Sequence, residues 1–131
     1  MDDTLEREFQ TRWPQWFGGL DEGPQKSCLA FGFCCGPGWK DLLWRLCEDI
    51  EKLGPGEDFE VHQVKEKFGG LRFYTSGTTR EVLDRISEAE QESYETCENC
   101  GTKENVTTGG RGWVSTLCDK CRKPKPEDEE E

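Results

Sequence analysis

Long apolar runs are missing from this 131-residue sequence. No stretch approaches the roughly 18 consecutive apolar residues of a membrane-spanning helix, which excludes a spanning segment and a membrane partner of that kind. A leader-like start is missing as well, because Met1 is followed by Asp2, Asp3, Glu6 and Arg7 rather than by a basic region and an apolar run. The expectation is a protein made and kept in the cytoplasm. Positive charge is scarce: 17 Lys and Arg stand against 28 Asp and Glu, a net −11 at pH 7. The whole molecule is therefore a poor partner for duplex DNA. Leu, Ile, Val and Phe number only 24, and with this charge such a share falls in the range where disorder is considered. Five Trp and eight Cys supply apolar bulk that this count omits, and the apolar positions fall into periodic groups.

Leu5, Phe9 and Trp13 recur four apart behind Asp3 and Thr4, predicting a helix over 3–13 that Pro14 ends. Trp39, Leu42, Leu43, Leu46, Cys47, Ile50 and Leu53 follow helical spacing, and Gly54-Pro55-Gly56 stops them, which predicts a helix over 39–53. Residues 58–75 read as a hairpin turning at Phe68-Gly69-Gly70. Thr78 and Glu81 make a capping-box pattern ahead of a helix over 79–95. The fold expected is α+β, with helices packed on one face of a small antiparallel sheet over residues 1–96. A zinc ribbon follows over 97–121, docked through the Val82–Tyr94 helix, and then a disordered acidic tail over 122–131.

Cys97 and Cys100 form one CxxC pair and Cys118 and Cys121 another, with 17 residues between them. That spacing fits a four-thiolate zinc site, in which each knuckle aims two sulfurs at one ion. Four thiolates leave no position for water, so the expected cofactor is one structural Zn2+ that contributes to folding. Among the other cysteines, Cys47 lies on the apolar stripe of its helix. Cys28, Cys34 and Cys35 with the single histidine, His62, leave open a second metal site or a nucleophilic cysteine, although adjacent cysteines rarely serve one small ion without strain.

The window Glu60–Arg80 carries four cations against two carboxylates inside an acidic chain. Strict alternation puts Val61, Gln63, Lys65 and Lys67 on one strand face and His62, Val64 and Glu66 on the other. It buries Val64, Leu71 and Phe73 and leaves Lys65, Lys67, Arg72 and Tyr74 together outside. The glycine amides of Gly69 and Gly70, and aromatics such as Trp16 and Trp39 that can stack on a base, complete a candidate site for a phosphate or carboxylate ligand. Lysines on the outer face of a hairpin are also ordinary, and discourage edge pairing.

The string Val64-Lys65-Glu66-Lys67-Phe68-Gly69-Gly70-Leu71-Arg72-Phe73-Tyr74, with Gly38-Trp39 and the Leu42–Ile50 helix before it and the CxxCG/CxxC pairs after it, resembles a family of small proteins of unassigned activity encoded by bacteriophages and prophages. The likeness spans roughly residues 9–121, and the charged string is its most specific part. It implies a genetic setting more than an activity: a phage accessory protein in the host cytoplasm, of a kind that often binds a host component. The sequence departs from the family in having Pro37 where relatives tend to carry an acidic residue.

Three functions are weighed. The first is a non-enzymatic binder of a small anionic, nucleotide-like ligand that counters host defence. The second is an acidic inhibitor that docks on a basic site of a host nucleic-acid enzyme. The third is nucleic-acid binding through the ribbon, using Lys103, Arg111, Lys120, Arg122, Lys123 and Lys125 with Trp113. No P-loop, HExxH, nucleophile elbow or dinucleotide fingerprint is present, so an enzyme, such as a hydrolase built from scattered carboxylates, is the least supported class.

Overall fold

The computed structural model describes residues 1–23, 25–110 and 112–122. Of the expected disordered tail over 122–131, Arg122 is instead held in place, donating to the carbonyls of Thr107, Gly109 and Ser115, and residues 123–131 lie outside the described residues. Helix α1 (Asp3–Arg12) opens with the Asp2 carboxylate accepting from Thr4 N–H. Strand β1 (Phe33–Cys34) precedes α2 (Lys40–Leu53), which follows a 3-10 turn over Pro37–Trp39 and closes at Gly54 with φ +71°. The hairpin is β2 (Glu60–Lys67) and β3 (Gly70–Ser76), followed by α3 (Arg80–Ser93) and a two-stranded antiparallel sheet of β4 (Val106–Gly109) and β5 (Ser115–Cys118).

The first sheet runs in the order β1-β2-β3 and is mixed, not antiparallel as expected. β1 pairs with β2 in parallel, Phe33 beside Val64 and Cys34 beside Lys65. A parallel neighbour needs a long crossover, and α2 supplies it. The buried Glu6 on α1 accepts from Phe33 N–H at 2.8 Å and so fixes β1.

Alternation along β2 is also broken. The register shifts between Val61 and Gln63, so Val61 lies opposite Thr75 while Gln63 lies opposite Tyr74. His62 is the extra residue of this bulge, and its Nε2 pairs with Ser76 Oγ at 2.6 Å. The bulge lets Val61 and Val64 both point into the core, three positions apart. Val61 therefore does not share the face of Lys65, as strict alternation required.

The core is continuous. Leu42, Leu43, Leu46 and Ile50 of α2 and Val82, Ile86 and Ala89 of α3 meet Val64, Leu71 and Phe73 of the sheet. Around Phe9, the rings of Phe17, Phe33 and Trp44 pack edge-on at 5.8, 5.2 and 5.0 Å. Each such apolar side chain stabilises by about 1.5–3 kcal/mol when fully buried. β3 is an edge strand, and α3 covers its edge: Leu71 N–H donates to Ser93 Oγ and Phe73 N–H to Glu90 Oε2. The cap of α3 is Thr79, whose Oγ1 accepts from Val82 N–H, while Thr78 pairs instead with Thr75.

Candidate functional site

The two CxxC pairs converge. Cys97 and Cys100 lie at the end of the chain leaving α3, and Cys118 and Cys121 follow β5. Their four Sγ atoms all lie within 4.8 Å of one another. A tetrahedron with metal–sulfur bonds of about 2.3 Å has edges of roughly 3.8 Å, and Cys100 and Cys118 stand 3.7 Å apart. The donor set fits one metal ion with all four positions filled by sulfur, Cys97 and Cys118 on the buried side and Cys100 on the exposed side. Burial pushes the Cys97 thiol up, but the N–H groups of Cys100, Cys118 and Asn99 outweigh it and bring the thiol down to about 6. Asn99 also donates to Cys121 Sγ and favours its thiolate. Burial and the three neighbouring thiols nevertheless push Cys121 up to about 11. Four adjacent sulfurs ionise together only with a cation between them.

The ribbon is seated by close backbone contacts rather than by α3 alone. Gly38 N–H donates to Glu98 O at 2.7 Å, Gly36 N–H to Glu98 Oε2 at 2.8 Å, and Glu98 N–H to Thr116 O at 3.0 Å. A side chain at Gly38 would run into the Cys97 carbonyl. Thr116 Oγ1 donates to Gly69 O at 2.6 Å, which ties β5 to the hairpin turn. From α3, Glu92 receives Lys103 of the ribbon and Arg45 of α2.

The hairpin cations do come together. Lys65 is the cross-strand partner of Arg72, Gln63 of Tyr74, and Lys67 of Gly70. Partners share a face, so Lys65, Lys67, Arg72 and Tyr74 stand on one side of the sheet. Arg72 donates to Leu71 O at 3.0 Å, and the neighbouring Tyr94 hydroxyl, against some desolvation, raises its pKa further above the ordinary arginine value. Among the described residues neither Lys65, Lys67 nor Arg72 forms an ion pair, whereas Arg7, Arg12, Lys40, Arg45, Arg85 and Lys103 each meet a carboxylate. Lys26, Lys52 and Lys120 are also unpaired but lie on separate elements.

Other expected contributors are elsewhere. Trp39 is fully buried and its Nε1 donates to Thr96 O, so it supports the fold and cannot stack on a ligand. Trp16 stacks on Trp13 and packs edge-on against Phe59. Gly69 N–H is taken by Glu66 Oε2 and Gly70 lies against the Tyr94 ring, so these two glycines shape the turn instead of cradling an anion. Cys28, Cys34, Cys35 and His62 form no second cluster among the described residues, and burial raises Cys35 to about 12. Among the described residues, two of the ribbon's expected basic set are already engaged. Lys103 pairs with Glu92, and Arg122 donates to the carbonyls of Thr107, Gly109 and Ser115, while Arg111, Lys123 and Lys125 lie outside the described residues.

Two exposed aromatics frame the hairpin tip: Phe68, 69% exposed, which sequence reasoning placed only in the turn, and Trp113, 75% exposed, which it singled out for nucleic-acid contact and not as a neighbour of the hairpin. The signal for Phe68 was its place at the first position of a two-residue turn. No protein-family model, curated protein or solved structure matches the chain. Among the described residues no helix is long and apolar enough to cross a membrane.

Proposed function

We propose that this protein is a non-enzymatic binder of a small phosphate-bearing anion, taken on the outer face of the hairpin by Lys65, Lys67 and Arg72 beside Tyr74. The observation that carries this reading is the direct cross-strand pairing of Lys65 with Arg72, neither of which forms an ion pair among the described residues; Glu90 of α3 is the carboxylate whose charge reaches Arg72. Acidic residues outnumber basic ones 28 to 17, so carboxylates are abundant and the cations still stand unpaired. Like charges set directly opposite on adjacent strands are destabilising, and a bound anion reverses the sign of that interaction. A guanidinium fork beside ammonium point charges is the combination that recognises phosphate oxygens.

The ion of the ribbon is zinc in this reading, since four thiolates in a tetrahedron suit it and leave no position for chemistry. Its part is to fix the hairpin turn through Thr116 and Gly69. The likeness to phage and prophage proteins supports a setting in the host cytoplasm, where binding of this kind withdraws a nucleotide-like defence signal.

Calorimetric titration of the metal-loaded chain with inorganic tripolyphosphate tests the proposal. Lys65→Ala/Arg72→Ala is expected to weaken binding by at least roughly tenfold, the scale of two charge-assisted hydrogen bonds. The variant should still unfold in one cooperative transition, since relief of the like-charge pair offsets the loss of Arg72's contacts with Leu71 O and Tyr94. Lys52→Ala should bind as the native chain does. Equal binding by the double variant would overturn the reading.

A further inference from the structure

The hairpin turn and the ribbon enclose a groove of about 380 Å³, lined by Glu66, Lys67, Phe68, Gly112, Trp113 and Val114. Its volume falls within the range of small-molecule sites. Two features mark it as more than a surface crevice. Phe68 has φ +54° and Gly69 φ +88°, so the two-residue turn is of the I′ kind, whose first position is ordinarily Asn, Asp or Gly. A phenylalanine there adopts a backbone conformation that its side chain disfavours, and the ring gains nothing from burial. Trp113 stands opposite on the β4–β5 loop, equally outside the core. Two large exposed rings on adjoining loops are otherwise without structural use.

The groove lining carries both signs of charge. One is the Glu66 carboxylate, tied by Oε2 to Gly69 N–H at 2.7 Å, with acceptor capacity left over. The other is Lys67, whose Nζ stands 5.7 Å from the Phe68 ring centroid. Lys65 lies two residues further along the same face, roughly 6.6 Å on, with Arg72 beside it. A phosphate is repelled by Glu66 and attracted by Lys67. An N–H-bearing aromatic ring meets the reverse preference. A nucleotide carries both groups.

We propose that the groove between Phe68 and Trp113 takes the base of a small nucleotide whose phosphates lie on Lys67, Lys65 and Arg72. The inference rests on the anion-binding reading above and adds which anion. The occupant is a free nucleotide rather than a nucleic-acid strand: the chain's net charge of −11 repels a long polyanion beyond the local cationic face.

Titrations of the metal-loaded full chain with ATP, GTP, tripolyphosphate and a single-stranded RNA dodecamer, in one buffer, test this. At least one of the two nucleotides is expected to bind about tenfold or more tighter than tripolyphosphate, the scale of one base stacking on aromatic rings. Phe68→Asn keeps a residue that the turn favours, so it should fold at least as stably as the native chain. In Phe68→Asn and in Trp113→Ala the nucleotide advantage should fall to within about twofold, with tripolyphosphate binding unchanged. Nucleotides binding no better than tripolyphosphate would overturn the groove assignment while leaving the anion face standing. Absence of binding by all four ligands would overturn both. RNA binding tighter than either nucleotide would replace the free nucleotide with a strand, and so overturn this proposal.

Discussion

At the scale of single residues, the fold is most exacting where backbone meets ring. Gly70 opens β3 directly against Tyr94, and an added methyl would run into that ring. Gly70→Ala is expected to cost about 1–3 kcal/mol, as overpacked sites do, read by chemical denaturation; native stability would show that the ring moves aside. Glu90 supplies a pH signature. Burial raises its pKa above 4.5, opposed by the Phe73 N–H and by Arg72. Between 4.5 and that higher folded value, the folded chain holds a proton that the unfolded chain has released, so this group's contribution to stability falls as pH rises. Glu90→Gln keeps a carbonyl acceptor for Phe73 and should be more stable than the native chain at neutral pH. That advantage should vanish by about pH 3, where both carboxyls are protonated. A constant difference across the range would contradict it.

Some residues announced their places in the sequence and others could not. The CxxC spacing specified Cys97, Cys100, Cys118 and Cys121 because two knuckles on one ion impose a local pattern. Trp39 carried two signals, an aromatic near a charged string and a position on the apolar stripe of its helix. The stripe was the sound one, since the partner of its Nε1 is Thr96 O, 57 residues away. Phe68 and Trp113 become neighbours only when the ribbon docks.

At the scale of elements, amphipathic helices and a glycine turn were legible because each is set by spacing within one segment. The mixed sheet was not. β1 has two residues, too few for a period, and its pairing beside Val64 depends on α2 carrying the chain across. The His62 bulge likewise leaves no mark in composition, yet it decides that Val61 faces inward. Glu92 joins three elements, receiving Arg45 from α2 and Lys103 from the ribbon while standing on α3. Although burial raises its pKa, these two cations lower it below 4.5. Stability from this group is therefore full above 4.5 and is lost as pH falls through the depressed folded value. Glu92→Gln should lower stability by roughly 0.5–1 kcal/mol at neutral pH, as partly exposed pairs do. The deficit should disappear in acid. A deficit that persists under acid would assign the loss to packing instead.

At the scale of the molecule, the ribbon is a brace for the hairpin. Its seat uses Gly36 and Gly38 on one side and Gly69 on the other, both through Thr116 and Glu98. Removing the ion with a chelator should raise amide exchange first within 97–121, then at 67–70 and 36–38, while α2 stays protected. Uniform exchange would mean that the chain unfolds as one unit, and exchange confined to the ribbon would mean that the brace is idle. The account's central claim is that this braced hairpin presents an anion site on one face. The most direct measurement is a two-dimensional amide spectrum of the metal-loaded chain titrated with tripolyphosphate. Shifts concentrated at Lys65, Lys67, Arg72 and Tyr74 are the expected result. Shifts centred on Lys103 and Lys120 of the ribbon, or no shifts at all, would contradict it.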